Sequence, residues 1–310
     1  THTMKLHDTQ ITNYLTFCKS QKCLDVKTIR AYKIDLTHFA STMPAETSLY
    51  DIASRQIESY IAHLHSIYKP KTAKRKIASL KAFFHYCEFY EFIERNPFDK
   101  IQIRFREPVI LPKTIPLQTL ELFLSTIYNQ RQLTTTSYQQ KNALRDAAVI
   151  ELLFATGIRI SELCSLKSCD VNLNDNFVLI YGKGSKERKL QIGNDNVLKT
   201  LNEYKNTFSK EIENCGHFFA NQSGKPLSDQ SVRRMIQKYA SLAGIDQHIT
   251  PHMFRHTFAS SLLDADVDIR YIQEMLGHSS ITTTQIYTHV TLAKQKMILT
   301  TKHPRNGFSI

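Results

Sequence analysis

From Ile11 to about Phe92 apolar residues recur at three- and four-residue steps, with no glycine and with proline only at Pro44 and Pro70. This periodicity predicts an all-α module. A helix starting near Val26 turns Ile29, Tyr32, Leu36 and Phe39 to one side as a core stripe. Asn96-Pro97 is expected to stop the last helix of the module. Arg104, Arg106, Pro108, Pro112 and Pro116 then punctuate an extended stretch, because proline holds the chain in extended geometry. Pro116 suits the first turn of a new helix. The organisation expected is therefore a helical module over 1–103, a linker over 104–115 and a second domain over 116–310.

Within that second domain, Ala143–Ala155 is apolar on nearly every face, which predicts a buried helix, and Gly157 suits its C-cap. Phe177–Tyr181 is a continuous apolar, β-rich run, Gly182-Lys183-Gly184-Ser185 is turn chemistry, and Lys186–Ile192 alternates. Together they predict a β-hairpin with Lys183 at its tip. Asn221–Pro226 reads as a loop, after which the helical pattern returns until about Thr300. The fold class is mainly α, in two domains. One is all-helical, and the other is a mixed α+β domain of mostly helices with a small antiparallel hairpin or sheet.

The 310 residues suffice for two cores, and no apolar run is long enough to span a bilayer, so no membrane partner is expected. Charge changes the picture more. Lys and Arg number 40 against 28 Asp and Glu, for a net charge of +12. The excess is shared, with 15 basic against 10 acidic residues up to residue 100 and 25 against 18 beyond it. A polyanionic partner, nucleic acid first, fits such a balance. Lys69, Lys71, Lys74, Arg75, Lys76 and Lys81 crowd thirteen residues without one acid, while Ile77, Leu80, Phe83 and Phe84 take the other face. A run of this kind is commonly a solvated face, but its self-repulsion is relieved when phosphates lie alongside. Lys71, Lys74, Arg75, Lys76 and Lys81 are the expected DNA contacts.

The cysteines Cys18/Cys23 and Cys164/Cys169 share a C-x4-C spacing but lie in amphipathic stretches without partner ligands, so ordinary reduced thiols in a cytoplasmic setting are expected. Thr1, His2 and Thr3, ahead of Met4, read as an appended remnant with no part in the fold.

Four short motifs carry candidate chemistry. Arg159 follows the capped helix and stands three residues before Glu162, a spacing that also suits a plain intrahelical ion pair. Lys183 is either a catalytic group or a solvated turn residue. Thr250-Pro251 opens a helix whose Phe254, Phe258 and Leu262 face inward, while His252 and Arg255 share another side near the positive N-terminus. His252 and His256 have zinc-ligand spacing, but Met253 stands where a zinc hydrolase needs its glutamate. Leu276-Gly277-His278 closes a helix capped at Asp268, and Tyr287 follows nine residues after His278. Taken together, Arg159, Lys183, His252, Arg255, His278 and Tyr287 form a set suited to phosphoryl transfer with neither metal nor cofactor. Guanidiniums bind non-bridging phosphate oxygens bidentately, a phenol is the nucleophile, and an ammonium protonates the leaving oxygen.

The stretches ATGIRISELCSL, YGKGSKER, PHMFRHTFA and LGHSSITTTQIYTHV, with the helix around Thr28–Leu36, resemble the tyrosine recombinases of the Xer and phage-integrase family. The resemblance implies a core-binding domain followed by a catalytic domain. It also implies a site-specific DNA recombinase in which Tyr287 forms a 3′-phosphotyrosyl link and Lys183 is the general acid. Arg159 and Arg255 would hold the scissile phosphate, and His252 and His278 would position it and assist proton transfer. Phe254 stands where the family often has Leu, a matter of packing. The partners implied are a double-stranded DNA recombination site and a homo-tetramer on DNA, with room for a partner recombinase or a directionality factor. A type IB topoisomerase and a non-catalytic DNA-binding protein are the rival readings. The apolar set Leu292, Met297, Ile298 and Leu299 near the end of the chain is expected to dock in a neighbouring protomer, the alternative being a helix folded back on its own domain.

Overall fold

In the computed structural model, residues 6–44, 47–103, 113–182, 187–277 and 292–309 are described. The chain divides into two units, Thr1–Ile110 and Leu111–Ile310. No described helix is long and apolar enough to cross a membrane.

The first unit is built from α1 (Leu6–Ser20), α2 (Val26–Thr42), α3 (Ser54–Ile67) and α4 (Pro70–Phe89). The Asp25 carboxylate caps α2 by accepting from Lys27 N at 2.7 Å, and Pro70 occupies the first turn of α4, where its missing N–H costs nothing. The α2 stripe behaves as expected, with Leu36 and Phe39 buried and Ile29 and Tyr32 packed at the edge of the same core. Phe83, Phe84, Leu64 and Tyr14 complete that core. The last helix ends earlier than the sequence suggests: α4 stops at Phe89 and Glu91 takes a left-handed φ of 59°. Asn96 instead anchors the returning chain, donating to Glu88 from its backbone N–H at 3.2 Å and accepting from Phe98 N at 3.1 Å.

The second unit opens with α5 (Leu117–Leu133), for which Pro116 is the N-cap, and α6 (Ser137–Thr156). From Ala143 onward α6 is buried apart from Arg145, which makes it the axis of the core. Gly157 ends it with a left-handed φ of 61°, and a Cβ there would lie 2.7 Å from the Phe258 ring, so this position needs glycine on both counts. The short α7 (Ile160–Ser165) follows, then β1 (Val171–Asn172), β2 (Phe177–Tyr181) and β3 (Glu187–Gln191). These pair antiparallel in the order β1-β2-β3 with Ile180 opposite Arg188. The hairpin is the one the sequence predicts; the two-residue β1 is too short to leave a periodic signal. Next come α8 (Asp195–Thr207), α9 (Ser209–Cys215), α10 (Asp229–Leu242), α11 (Pro251–Asp264), α12 (Ile269–Leu276) and α13 (Leu292–Lys302).

At the end of the chain, the isolated protein shows the second of the two arrangements considered, a helix folded back on its own domain. In the isolated chain α13 folds back against β3, with Ile298 and Leu299 inside the core of the same unit. Two features fix it there. Gly193 lies so close that a Cβ would come within 2.7 Å of the backbone at Leu299 and Thr300. The Gln295 side-chain amide accepts from Gln191 N at 2.5 Å and donates to Lys189 O at 3.3 Å, so it closes the free edge of β3 as another strand would. Beyond α13 the Arg305 guanidinium meets both oxygens of Glu151 on α6, with exposures of 1% and 0%. Buried His303 packs on Phe154 and bonds its carbonyl. The side chain of Leu292 lies outside the described ones.

Candidate active site

Arg159 stands between the ends of α6 and α7, where the chain reverses after Gly157. Its backbone N–H and its Nη1 donate to the two oxygens of Glu162, at 2.8 and 2.9 Å. Arg188, projecting from β3, donates to the same carboxylate through Nη1 and Nη2 at 3.1 and 2.7 Å. Burial works to raise the Glu162 carboxyl, but the bonds from Arg188 and Arg159 outweigh it and hold the group ionised below the ordinary range.

Arg255, on the first turns of α11, is 6% exposed and meets no carboxylate at bonding distance among the described residues. It donates to Gly157 O at 2.9 Å and to Leu276 O at 2.6 Å, the carbonyls that terminate α6 and α12. Burial, and then repulsion from Arg159, push its pKa down to about 10, so it stays charged at neutral pH. Two guanidiniums therefore share one carboxylate in a partly dry place, with a third near enough to feel its charge. The excess positive charge fits an anion with oxygens to share, and Arg159, whose side chain is 37% exposed, opens that site to solvent. His252 is exposed beside it, one turn before Arg255. Partial desolvation and the nearby cations Arg233, His256, Arg255 and Arg159 hold its imidazole below the ordinary value. A neutral imidazole next to an anion site can accept a proton.

Arg159, His252 and Arg255 are thus brought together. Lys183, His278 and Tyr287 lie outside the described residues. The described chain reaches Gly182 after β2 on one side and Gly277 after α12 on the other. Phe254 is fully buried against Phe123, and the described residues include no cluster of metal ligands. The six cysteines are free thiols, of which Cys18 and Cys87 are buried and Cys23 and Cys169 exposed.

On the basic helix α4, Lys71, Lys74, Arg75 and Lys81 are exposed, with Lys81 Nζ 5.7 Å from the Phe98 ring centre. Lys76 is the correction. It falls three residues after Ala73 and four before Leu80, so the helical period turns it inward, where it is 5% exposed and bonds the buried Asp35 at 3.2 Å. Arg75 also pairs with Asp35, and Ser79 Oγ donates to it at 2.8 Å. Sequence reasoning overlooked Asp35 and Arg188, although each leaves a signal. Asp35 stands on the apolar stripe of α2, three residues after Tyr32 and four before Phe39. Arg188 shares its strand face with buried Leu190.

Comparison with known proteins gives these features a context. Residues 127–294 match the model described as "Phage integrase family", and residues 11–88 match "Phage integrase, N-terminal SAM-like domain". A tyrosine recombinase of Agathobacter rectalis is 67% identical over 303 residues, covering 97% of this chain and 98% of that protein. Tyrosine recombinase XerD of Listeria innocua is 35% identical over 302 residues, covering 95% and 98%. Among solved structures, residues 75–356 of lambda integrase, a dimer bound to a COC′ core site, align with a TM-score of 0.68 at 20% identity, over 92% of this chain and all of that one. That last likeness speaks for the fold alone. With the family models spanning both units, the chain belongs to the phage integrase family of tyrosine recombinases.

Proposed function

We propose that the chain cuts and rejoins duplex DNA at defined sites through a phosphotyrosyl link on Tyr287, and so integrates, excises or resolves DNA. It is an enzyme of the recombinase class to which its family belongs. The observation that supports the residue assignment is the cluster around Glu162, where Arg159 and Arg188 share one carboxylate and the buried guanidinium of Arg255 is held nearby on backbone carbonyls. Arg159 and Arg255 bind the non-bridging oxygens of the scissile phosphate and neutralise the charge that develops on them. The Tyr287 hydroxyl attacks phosphorus as its proton passes to neutral His252. The bond from phosphorus to the 5′-oxygen breaks, and that oxygen takes a proton from Lys183. His278 helps to position the phosphate. Rejoining is the same sequence reversed, with a 5′-hydroxyl as attacker. No metal ion enters this scheme, since the guanidiniums do the work of a Lewis acid.

Lys71, Lys74, Arg75 and Lys81 contact DNA phosphates from the first unit. Lys76 is assigned to the interior instead. Exchange between two duplexes needs two cuts in each, so four protomers assemble on DNA. The general-acid assignment has its own test. Lys183→Ala should cleave ordinary DNA at least about 100-fold more slowly, and a substrate with sulfur at the 5′-bridging position should restore the rate, because a thiolate leaves without a proton. Equal defects on both substrates would reduce Lys183 to a phosphate contact.

A further inference from the structure

We propose that Arg188 is a positioning residue for strand cleavage: anchored on the end of α12, it supplies half of the donors to Glu162 and so keeps Arg159 available to the phosphate. The inference rests on the recombinase reading above. Arg188 is largely enclosed, with 11% of its side chain exposed, and every donor edge has a partner. Its Nη1 and Nη2 form a fork on the Glu162 oxygens, and its Nε donates to Met275 O at 2.9 Å. The next carbonyl, Leu276 O, is taken by Arg255 at 2.6 Å. Two adjacent carbonyls at the end of α12 are therefore each held by a guanidinium, immediately before Gly277 and His278.

The backbone at Gly277 is fitted to this arrangement. A Cβ at that position would lie 2.9 Å from Arg188 Nη1 and 3.2 Å from its Cδ. The chain crosses the guanidinium at a distance that only glycine permits. Competition at Glu162 carries the rest of the argument. Each carboxylate oxygen receives one bond from Arg159 and one from Arg188. The Arg159 side chain is thereby held through Nη1, leaving its Nε and Nη2 edge for another anion. Without Arg188, a buried carboxylate loses half of its donors, and the neighbouring guanidinium of Arg159 is the cation able to replace them. A two-pronged Arg159–Glu162 pair would withdraw that edge from the phosphate. Lysine cannot substitute, because one ammonium reproduces neither the fork nor the third bond to Met275 O.

The test is single-turnover cleavage of a nicked duplex, with DNA affinity and thermal unfolding measured in parallel. Arg188→Gln and Arg188→Lys should both bind DNA within about twofold of the unmodified protein and cleave at least about tenfold more slowly. Because Arg188 acts through Glu162, adding Arg188→Gln to Glu162→Gln should slow cleavage by less than about threefold more. Cleavage by Arg188→Lys at the unmodified rate overturns the proposal, as does full additivity of the two glutamine substitutions. If Arg188→Gln does not fold, Arg188→Lys decides the matter by the same criteria. Failure of the unmodified protein to form a phosphotyrosyl link would refute the recombinase reading itself, whereas normal cleavage by both Arg188 variants would refute only this inference.

Discussion

His252 illustrates how one side chain's surroundings set its protonation state, on which its proposed role as a base depends. Repulsion from Arg233, His256, Arg255 and Arg159 adds to partial desolvation and lowers its pKa from the ordinary 6.5, so the ring is neutral at physiological pH. A base must be unprotonated to act, and the cleavage rate should therefore hold steady through neutral pH and fall only as pH drops below 6.5. His252→Ala should remove this acid limb and lower the plateau by about 10²–10⁴-fold. A profile that falls below pH 7 equally in both proteins would assign the titration to another group. The arginines make a related point about what sequence conveys. Arg159 and Glu162 sit three apart, so their bond is legible along the chain. The partners of Arg255 are backbone carbonyls 98 and 21 residues away, which no spacing rule reveals.

At the level of elements, local periodicity was sufficient for α2, α6, the β2–β3 hairpin and the Pro251 start of α11. It failed where a distant partner decides the outcome. Lys76 turns inward because Asp35, 41 residues earlier, neutralises it, and α13 stays with its own unit because Glu151 and Arg305, 154 residues apart, meet in the core. A buried ion pair reads in sequence as two ordinary surface charges. Breaking such a pair by truncating one partner typically costs about 3–5 kcal/mol, because the other charge is left buried. Arg305→Ala should therefore destabilise the isolated protein by about that amount in denaturant unfolding. A loss below about 1 kcal/mol would show that the tail is not seated on its own unit in solution. Packing of α13 in cis does not conflict with assembly on DNA. It means that any exchange of this helix between protomers must begin by freeing Gln295 from β3 and Ile298 and Leu299 from the core.

For the molecule as a whole, the charge of +12 is spread over both units. The first unit offers exposed Lys71, Lys74 and Lys81 on α4. Neutralising Lys71 and Lys81 should weaken binding to all DNA sequences alike and reduce the salt slope by about 0.9 for each phosphate that is no longer neutralised. Lys76→Gln should instead lower the thermal stability of that unit, since it strips a donor from buried Asp35. An unchanged slope in the Lys71 and Lys81 variants would return them to a solvated face. The second unit gathers Arg159, Arg188 and Arg255 around Glu162, and the proposed chemistry converges on Tyr287. The most direct measurement is therefore covalent capture: a nicked duplex that traps the cleaved state, incubated with the protein in EDTA, followed by peptide mapping of the DNA-linked fragment. The account predicts a DNA–protein adduct that forms without divalent metal, maps to Tyr287 and disappears in Tyr287→Phe while DNA binding persists. An adduct that requires magnesium, or one that survives in Tyr287→Phe, would contradict it.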